Sequence, residues 1–209
     1  MPDTSAPFGF RPVKHFGNQG NCNVINTTYK IDPSNTTKIY QGEPVYLDSN
    51  GWVVNVTTAT STGDIDVTAG QYMGIFWGCE YTDTSLGYLL HSNTWQGSAD
   101  TGEDVLAYVI DDPGQLFLVE ADAALSQGDL GKHASMAVGS SRGDDVTGFS
   151  KLQLDASTAT AATASGSDAH TWVIVGTYAT PNNAIDDDYP WVRVKAKQSF
   201  HTAFNDGTA

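Results

Sequence analysis

Gln41-Gly42-Glu43-Pro44-Val45-Tyr46-Leu47-Asp48-Ser49-Asn50-Gly51-Trp52-Val53-Val54-Asn55-Val56 decides the fold class. Val45 and Leu47 alternate with other residues before Asp48, and Trp52, Val54 and Val56 alternate after Gly51. A period of two belongs to a strand, whose side chains point to opposite faces in turn, and Asn50-Gly51 supplies the positive φ that a tight hairpin turn needs. The stretch therefore reads as a β-hairpin. Segments of the same kind recur at 72–81, 105–110, 115–120, 133–138, 148–154, 172–178 and 191–197, each rich in β-branched or aromatic residues and bounded by Gly, Pro, Asp or Asn. Only 121–125 has helical character, for barely one turn. Many short strands at this spacing predict an all-β protein of small β-barrel or β-sandwich units with almost no helix. Gln41-Gly42-Glu43 and the apolar run after it have a weak echo in Gln127-Gly128-Asp129 and the run 173–178, which suggests two β units, 41–122 and 123–209, duplicated or packed as one domain.

Composition narrows the function. The chain has 209 residues, 40% of them hydrophobic, enough for one substantial core or two small ones. It has no run of about 20 apolar residues of the kind that spans a bilayer as a helix, and Met1-Pro2-Asp3-Thr4-Ser5 lacks the basic and apolar regions of a signal peptide. Synthesis in a cytoplasm, with no membrane partner, is the expectation. Cys22 and Cys79 lie far apart without metal-binding spacing, so free thiols are expected. The net charge of −14 is uneven: no Lys or Arg occurs between Lys38 and Lys132, whereas Arg11, Lys14, Lys30 and Lys38 precede that gap. An acidic body repels phosphate backbones, which argues against nucleic acid as a partner. The same acids would also keep a β-rich protein soluble.

Several motifs imitate catalytic sites. Gly139-Ser140-Ser141-Arg142-Gly143 fits the G-x-S-x-G string, but that nucleophile sits on a turn from a strand into a helix, and no amphipathic helix follows, so a polar turn is expected. His15, His91, His133, His170 and His201 are scattered without metal-ligand spacing. Asp186-Asp187-Asp188 lacks the alternation of a calcium loop and reads as a solvated turn. No catalytic residue, metal or cofactor is expected, and the protein is read as not an enzyme.

The N-terminal stretch Ala6-Pro7-Phe8-Gly9-Phe10-Arg11-Pro12-Val13-Lys14-His15-Phe16-Gly17 crowds prolines, glycines, aromatics and cations together. Pro7 and Pro12 forbid a helix and favour extended backbone, so residues 1–40 read as an extended arm that needs another surface, or else as a disordered leader. With Gln41–Asp48, Gly51–Val54, Tyr72–Tyr81, Val109–Pro113 and Leu116–Asp122, this opening resembles the head decoration, or capsid cement, proteins of tailed bacteriophages over most of the chain. Such arms carry Arg or Lys where Lys14 stands, while the Ala/Ser/Thr-rich insert 157–167 departs from the pattern. The resemblance implies a non-enzymatic virion protein, made in the host cytoplasm, that binds the major capsid protein on the capsid exterior and forms a homo-trimer. The capsid-binding residues would be Phe8, Phe10, Arg11, Pro12, Lys14 and His15, and the oligomer interface Trp77, Tyr81, Trp95 and Tyr108. The alternative is a carbohydrate-binding β-sandwich module on a virion or cell surface, with Trp52, Trp77, Trp95, Trp172 and Trp191 as stacking platforms.

Overall fold

A computed structural model of the chain describes residues 4–15, 26–56, 64–65, 72–97, 104–160 and 171–197. Its strands are β1 (Arg11–His15), β2 (Thr27–Ile31), β3 (Ile39–Tyr40), β4 (Glu43–Leu47), β5 (Val53–Asn55), β6 (Asp64–Ile65), β7 (Tyr72–Thr82) and β8 (Leu89–Ser92). They continue with β9 (Thr94–Trp95), β10 (Val105–Ile110), β11 (Gln115–Glu120), β12 (His133–Ala134), β13 (Met136–Gly143), β14 (Ser150–Leu154), β15 (Trp172–Thr177) and β16 (Trp191–Ala196). The protein is all-β. The helical turn expected at 121–125 is absent: Ala121 bridges to Leu154, and single 3-10 turns form instead at Gln127–Asp129 and Ala156–Thr158.

Two larger sheets and two small ones are built from these strands. One sheet has the order β1-β11-β16-β15-β12, the other β2-β10-β7-β4-β5 with β8 also against β7; β14-β13-β6 and β3-β9 make the smaller pair. The opening hairpin forms, with Val45 opposite Asn55 and Leu47 opposite Val53, but its second strand takes the other phase from the one read: Val53 and Asn55 are buried, and Trp52 and Val54 are half-buried. Its turn is closed by Asp48, whose Oδ1 accepts from the Asn50 and Trp52 amides at 2.8 and 2.9 Å. Gly51, at φ +82°, takes the left-handed conformation, and Asn50 does not share it.

Strand β7 explains why its sequence reads as an unbroken apolar run. Tyr72 and Ile75 enter one core with Ile110, Phe117, Met136, Leu152, Trp172 and Val194, while Met73, Phe76 and Cys79 enter a second with Ile31, Ile39, Val45, Trp95 and Val105. A central strand with both faces covered has no polar side to display. In β15 and β16 the alternation is clean: Trp172 and Ile174, like Val192 and Val194, point inward and are fully buried.

The expectation of a detached arm over residues 1–40 is corrected. β1 pairs antiparallel with β11, β2 with β10 and β3 with β9, so the described part of this region belongs to the sheets. Pro12 is tolerated because β1 is an edge strand and the register shifts beside it, between Pro12 and Lys14. Phe10 is fully buried, stacked on Trp172 at 4.3 Å between ring centroids. Gly9 and Gly42, at φ +69° and +86°, let two backbones cross here: a Cβ on Gly9 would lie 2.6 Å from the Ser150 Cβ, and the Phe10 amide donates to the Gly42 carbonyl at 2.9 Å. The sheets also cross the expected boundary at 122. β11 lies between β1 and β16, β6 pairs with β13, and one core draws side chains from both sides of residue 122, so no sheet boundary falls there.

Phe10→Ala is therefore expected to act on stability, lowering it by ~3–5 kcal/mol as a large buried aromatic is removed, measured as a shift of the urea midpoint. A chain beginning at Tyr40 would lose Phe10, β1 and β2, and is expected to lose the cooperative thermal transition of the full chain. A truncated chain that melts as the full one does would show that the N-terminal strands contribute nothing to the fold.

Candidate functional site

Of the six residues expected to meet a capsid, the structure brings Phe8 and Arg11 to one outward face and turns Phe10 away from it. Phe8 is half-buried, edge-on to Trp191 at 5.3 Å. The exposed Arg11 guanidinium lies over the Phe8 ring at 4.9 Å and over the Phe149 ring at 5.4 Å. Pro12 and Lys14 are half-buried on β1, and the His15 backbone pairs with Gln115 while its side chain lies outside the described residues. Phe10 contributes nothing to this face, because its ring is spent on the core.

Two buried carboxylates fix the face from below. Glu120, fully buried, accepts from the Ser5 hydroxyl at 3.0 Å, the Ala6 amide at 3.1 Å and the Gln153 side chain at 2.9 Å, and so ties the chain just before Phe8 to β11 and β14. Beside it is a hollow of about 550 Å³ lined by Ser5, Ala6, Pro7, Gly139, Ser141, Lys151 and Gln153. Glu43, also fully buried, receives Arg142 through Nε at 2.7 Å and through Nη2, and accepts the Tyr40 amide at 2.9 Å. Burial pushes the Glu43 carboxyl up, and the Arg142 charge and the Tyr40 amide pull it back. This pair locks β13 against β4. No sequence pattern announces it, since 99 residues separate the partners. Arg142 belongs to the G-x-S-x-G string, which lies along β13 and is neither the nucleophile's strand-to-helix turn nor the polar turn expected.

The turn comes next, at Asp144–Phe149. Asp144 accepts from the Val146 and Thr147 amides at 2.9 and 3.1 Å and pairs with Lys151 at 2.9 Å. Lys151, followed by the two amides, holds the Asp144 carboxyl down to about 2. Asp129 is likewise held at about 2, by Lys132 and then Ser126. Asp145 accepts from Lys38 at 2.8 Å and from the Tyr40 hydroxyl at 2.7 Å; burial, then that bond, pushes the Tyr40 phenol up to about 12.

Among the expected interface residues, Trp95 is corrected. It is 1% exposed, donates through Nε1 to the Asn35 carbonyl at 3.1 Å and meets Tyr81 edge-on at 5.8 Å, so it fills the second core. Trp77, Tyr81 and Tyr108 stay half-buried, and the Tyr108 hydroxyl donates to Glu80 at 2.6 Å. Of the five tryptophans, Trp95 and Trp172 are core residues, leaving Trp52, Trp77 and Trp191 half-buried. Cys79 is a buried free thiol whose pKa burial raises to about 12, while Cys22 lies outside the described residues, as do His170 and His201. Asp187 accepts the Ala184 amide at 2.8 Å, closing a turn, and the described residues hold no cluster of His, Cys, Asp or Glu that could take a metal.

No family model matches the chain, and neither a curated protein nor a solved structure matches it. The functional reading rests on the residues themselves.

Two outcomes are expected of the polar framework. Arg142→Met leaves Glu43 buried without its cation and should cost ~3–5 kcal/mol, towards the lower figure because Arg142 keeps a quarter of its side chain exposed, whereas Glu43→Leu with Arg142→Met should cost less than Arg142→Met alone. Urea unfolding of the two variants decides this. Asp129 and Asp144 are held below the ordinary 3.8, so the stability they supply is complete above that pH and is lost as pH falls towards about 2. The melting temperature of the double variant Asp129→Asn, Asp144→Asn should accordingly fall less over that window than that of the parent.

Proposed function

We propose that the protein is a non-enzymatic virion structural protein that binds the outer surface of a tailed-phage capsid and cements it. The observation that carries this reading is the placement of Arg11. In a chain of net charge −14, this guanidinium is held between two aromatic rings on the outer face, and it belongs to the segment that resembles the opening of phage decoration proteins. A cation stacked on aromatic rings keeps its planar fork free for a partner's carboxylate, and Arg is over-represented among residues that dominate protein interfaces. Phe8 beside it supplies apolar area. An acidic outer surface suits a position on a DNA-filled shell, away from the phosphates.

The body assembles as a closed trimer, since cyclic closure satisfies identical faces without leaving a growing edge. Trp77, Tyr81 and Tyr108 are the interface aromatics in this reading, Trp95 being excluded by its burial. A cement binds the assembled shell and not its unfolded subunits, so by mass action it raises the shell's resistance to heat.

Particles purified from a lysate of cells that carry the gene, with and without this protein, test the reading. With it, genome release on heating is expected at a higher temperature, and light scattering of the free protein is expected to give three copies. Equal release temperatures, or no co-sedimentation of the purified protein with particles, would overturn it.

A further inference from the structure

We infer that the β13–β14 loop is a second half of the docking site, a knob in which Val146 and Phe149, beside Arg11, fit an apolar socket rimmed by carboxylates on the shell protein. The identity of that partner rests on the capsid reading; the shape and chemistry of the knob rest on the loop.

Val146 is 95% exposed and Phe149 38% exposed, and the two are joined by a loop that is pinned from several sides. From within, the Asp144 carboxylate takes the Val146 and Thr147 amides, and the Gly148 amide donates to the Asp144 carbonyl at 2.8 Å. From without, the Asn93 side chain donates to the Thr147 carbonyl at 2.8 Å, the Thr94 hydroxyl to the Gly148 carbonyl at 3.0 Å, and the Gln41 amide to that same carbonyl at 3.0 Å. Lys38 and Lys151 hold Asp145 and Asp144. An isolated exposed valine is ordinary, but one fixed at the apex of a loop whose backbone is already ordered costs little further entropy on binding.

Charge selects the socket. The chain has ten Lys and Arg in all, and Arg11, Lys38, Arg142 and Lys151 gather around this loop. Three of them are matched by Asp145, Glu43 and Asp144. Arg11 meets rings and, among the described residues, no carboxylate, so its charge is available to an acid of the partner. An exposed Arg beside aliphatic and aromatic side chains is the composition that becomes an interface centre once a partner covers it. A second exposed apolar tip among the described residues, with Leu86 and Tyr88 between β7 and β8 and Leu89 opening β8, contains Asp83 and no Lys or Arg, and so lacks the cation that this socket requires.

Co-sedimentation of the full chain with purified particles, at low and high salt, tests the knob. Val146→Asp should weaken binding at least tenfold with an unchanged melting temperature, Phe149→Ser should weaken it as much while keeping a cooperative transition at a somewhat lower temperature, Arg11→Ala should also remove most of the salt dependence, and Tyr88→Asp should bind as the parent does. A parent that binds while Val146→Asp and Phe149→Ser bind equally well overturns the knob and leaves the capsid reading standing. So does weakening by Tyr88→Asp alone, or a Val146→Asp variant that breaks up the free oligomer but still binds particles. A parent that binds no particle overturns both.

Discussion

The buried indole of Trp172 is the point on which the architecture depends. Phe10 stacks on it at 4.3 Å, and Tyr72 and Phe117 meet it edge-on at 5.1 and 5.9 Å. These rings come from the N-terminal segment, from β7 and from β11, while Trp172 itself opens β15. Each such pair adds on the order of 1 kcal/mol to the burial of its area, but geometry matters more than the sum. Trp172 packs against side chains from both larger sheets and fixes the depth to which Phe10 is drawn in. The outer face inherits its form from that depth: with Phe10 inside, Gly9 turns the chain, and Phe8 and Arg11 are left outside.

Where strands are concerned, the sequence was readable. β10 and β11 have the ends expected of them, and β15 and β16 stop one residue short of theirs, because runs of β-branched and aromatic residues bounded by Gly, Pro, Asp or Asn mark strands directly. β13 was harder. Its expected segment, 133–138, breaks at Ser135 into β12 and β13, two strands in different sheets, and a local pattern contains no signal for a change of sheet.

The N-terminal segment was read correctly for the strand that contains Pro12 and wrongly for its address. Pro12 does lie in extended backbone, although Gly9 turns the chain at φ +69°, and nothing local distinguishes a phenylalanine that seeks another molecule from one that seeks Trp172, more than 160 residues away along the same chain. The same limit applies to Trp95, which was expected at an oligomer interface, and to Glu43 with Arg142, whose pairing has no sequence signature. The two cations that frame the outer loop, Lys38 and Lys151, are likewise 113 residues apart in number and meet neighbouring aspartates only in the fold. Long-range pairing was the information missing in each case.

The place of β1 has a consequence for how the protein is made. Arg11 pairs with Leu118, and Leu118 with Arg193, so the strand that leaves the ribosome early joins a sheet whose next members are translated roughly a hundred and then nearly two hundred residues later. Closing such a span has an entropic cost that local contacts cannot offset beforehand, and chains dominated by distant pairings fold slowly. The β4–β5 hairpin and the β7–β10 pairing can form while synthesis continues. Trp172 and β16 cannot, and until they arrive the N-terminal residues have no slot to enter. The outer face carrying Phe8 and Arg11 is thus completed after the second core, whose residues all precede Asp111, so a partner recognising that face meets molecules in which Trp172 is already in place.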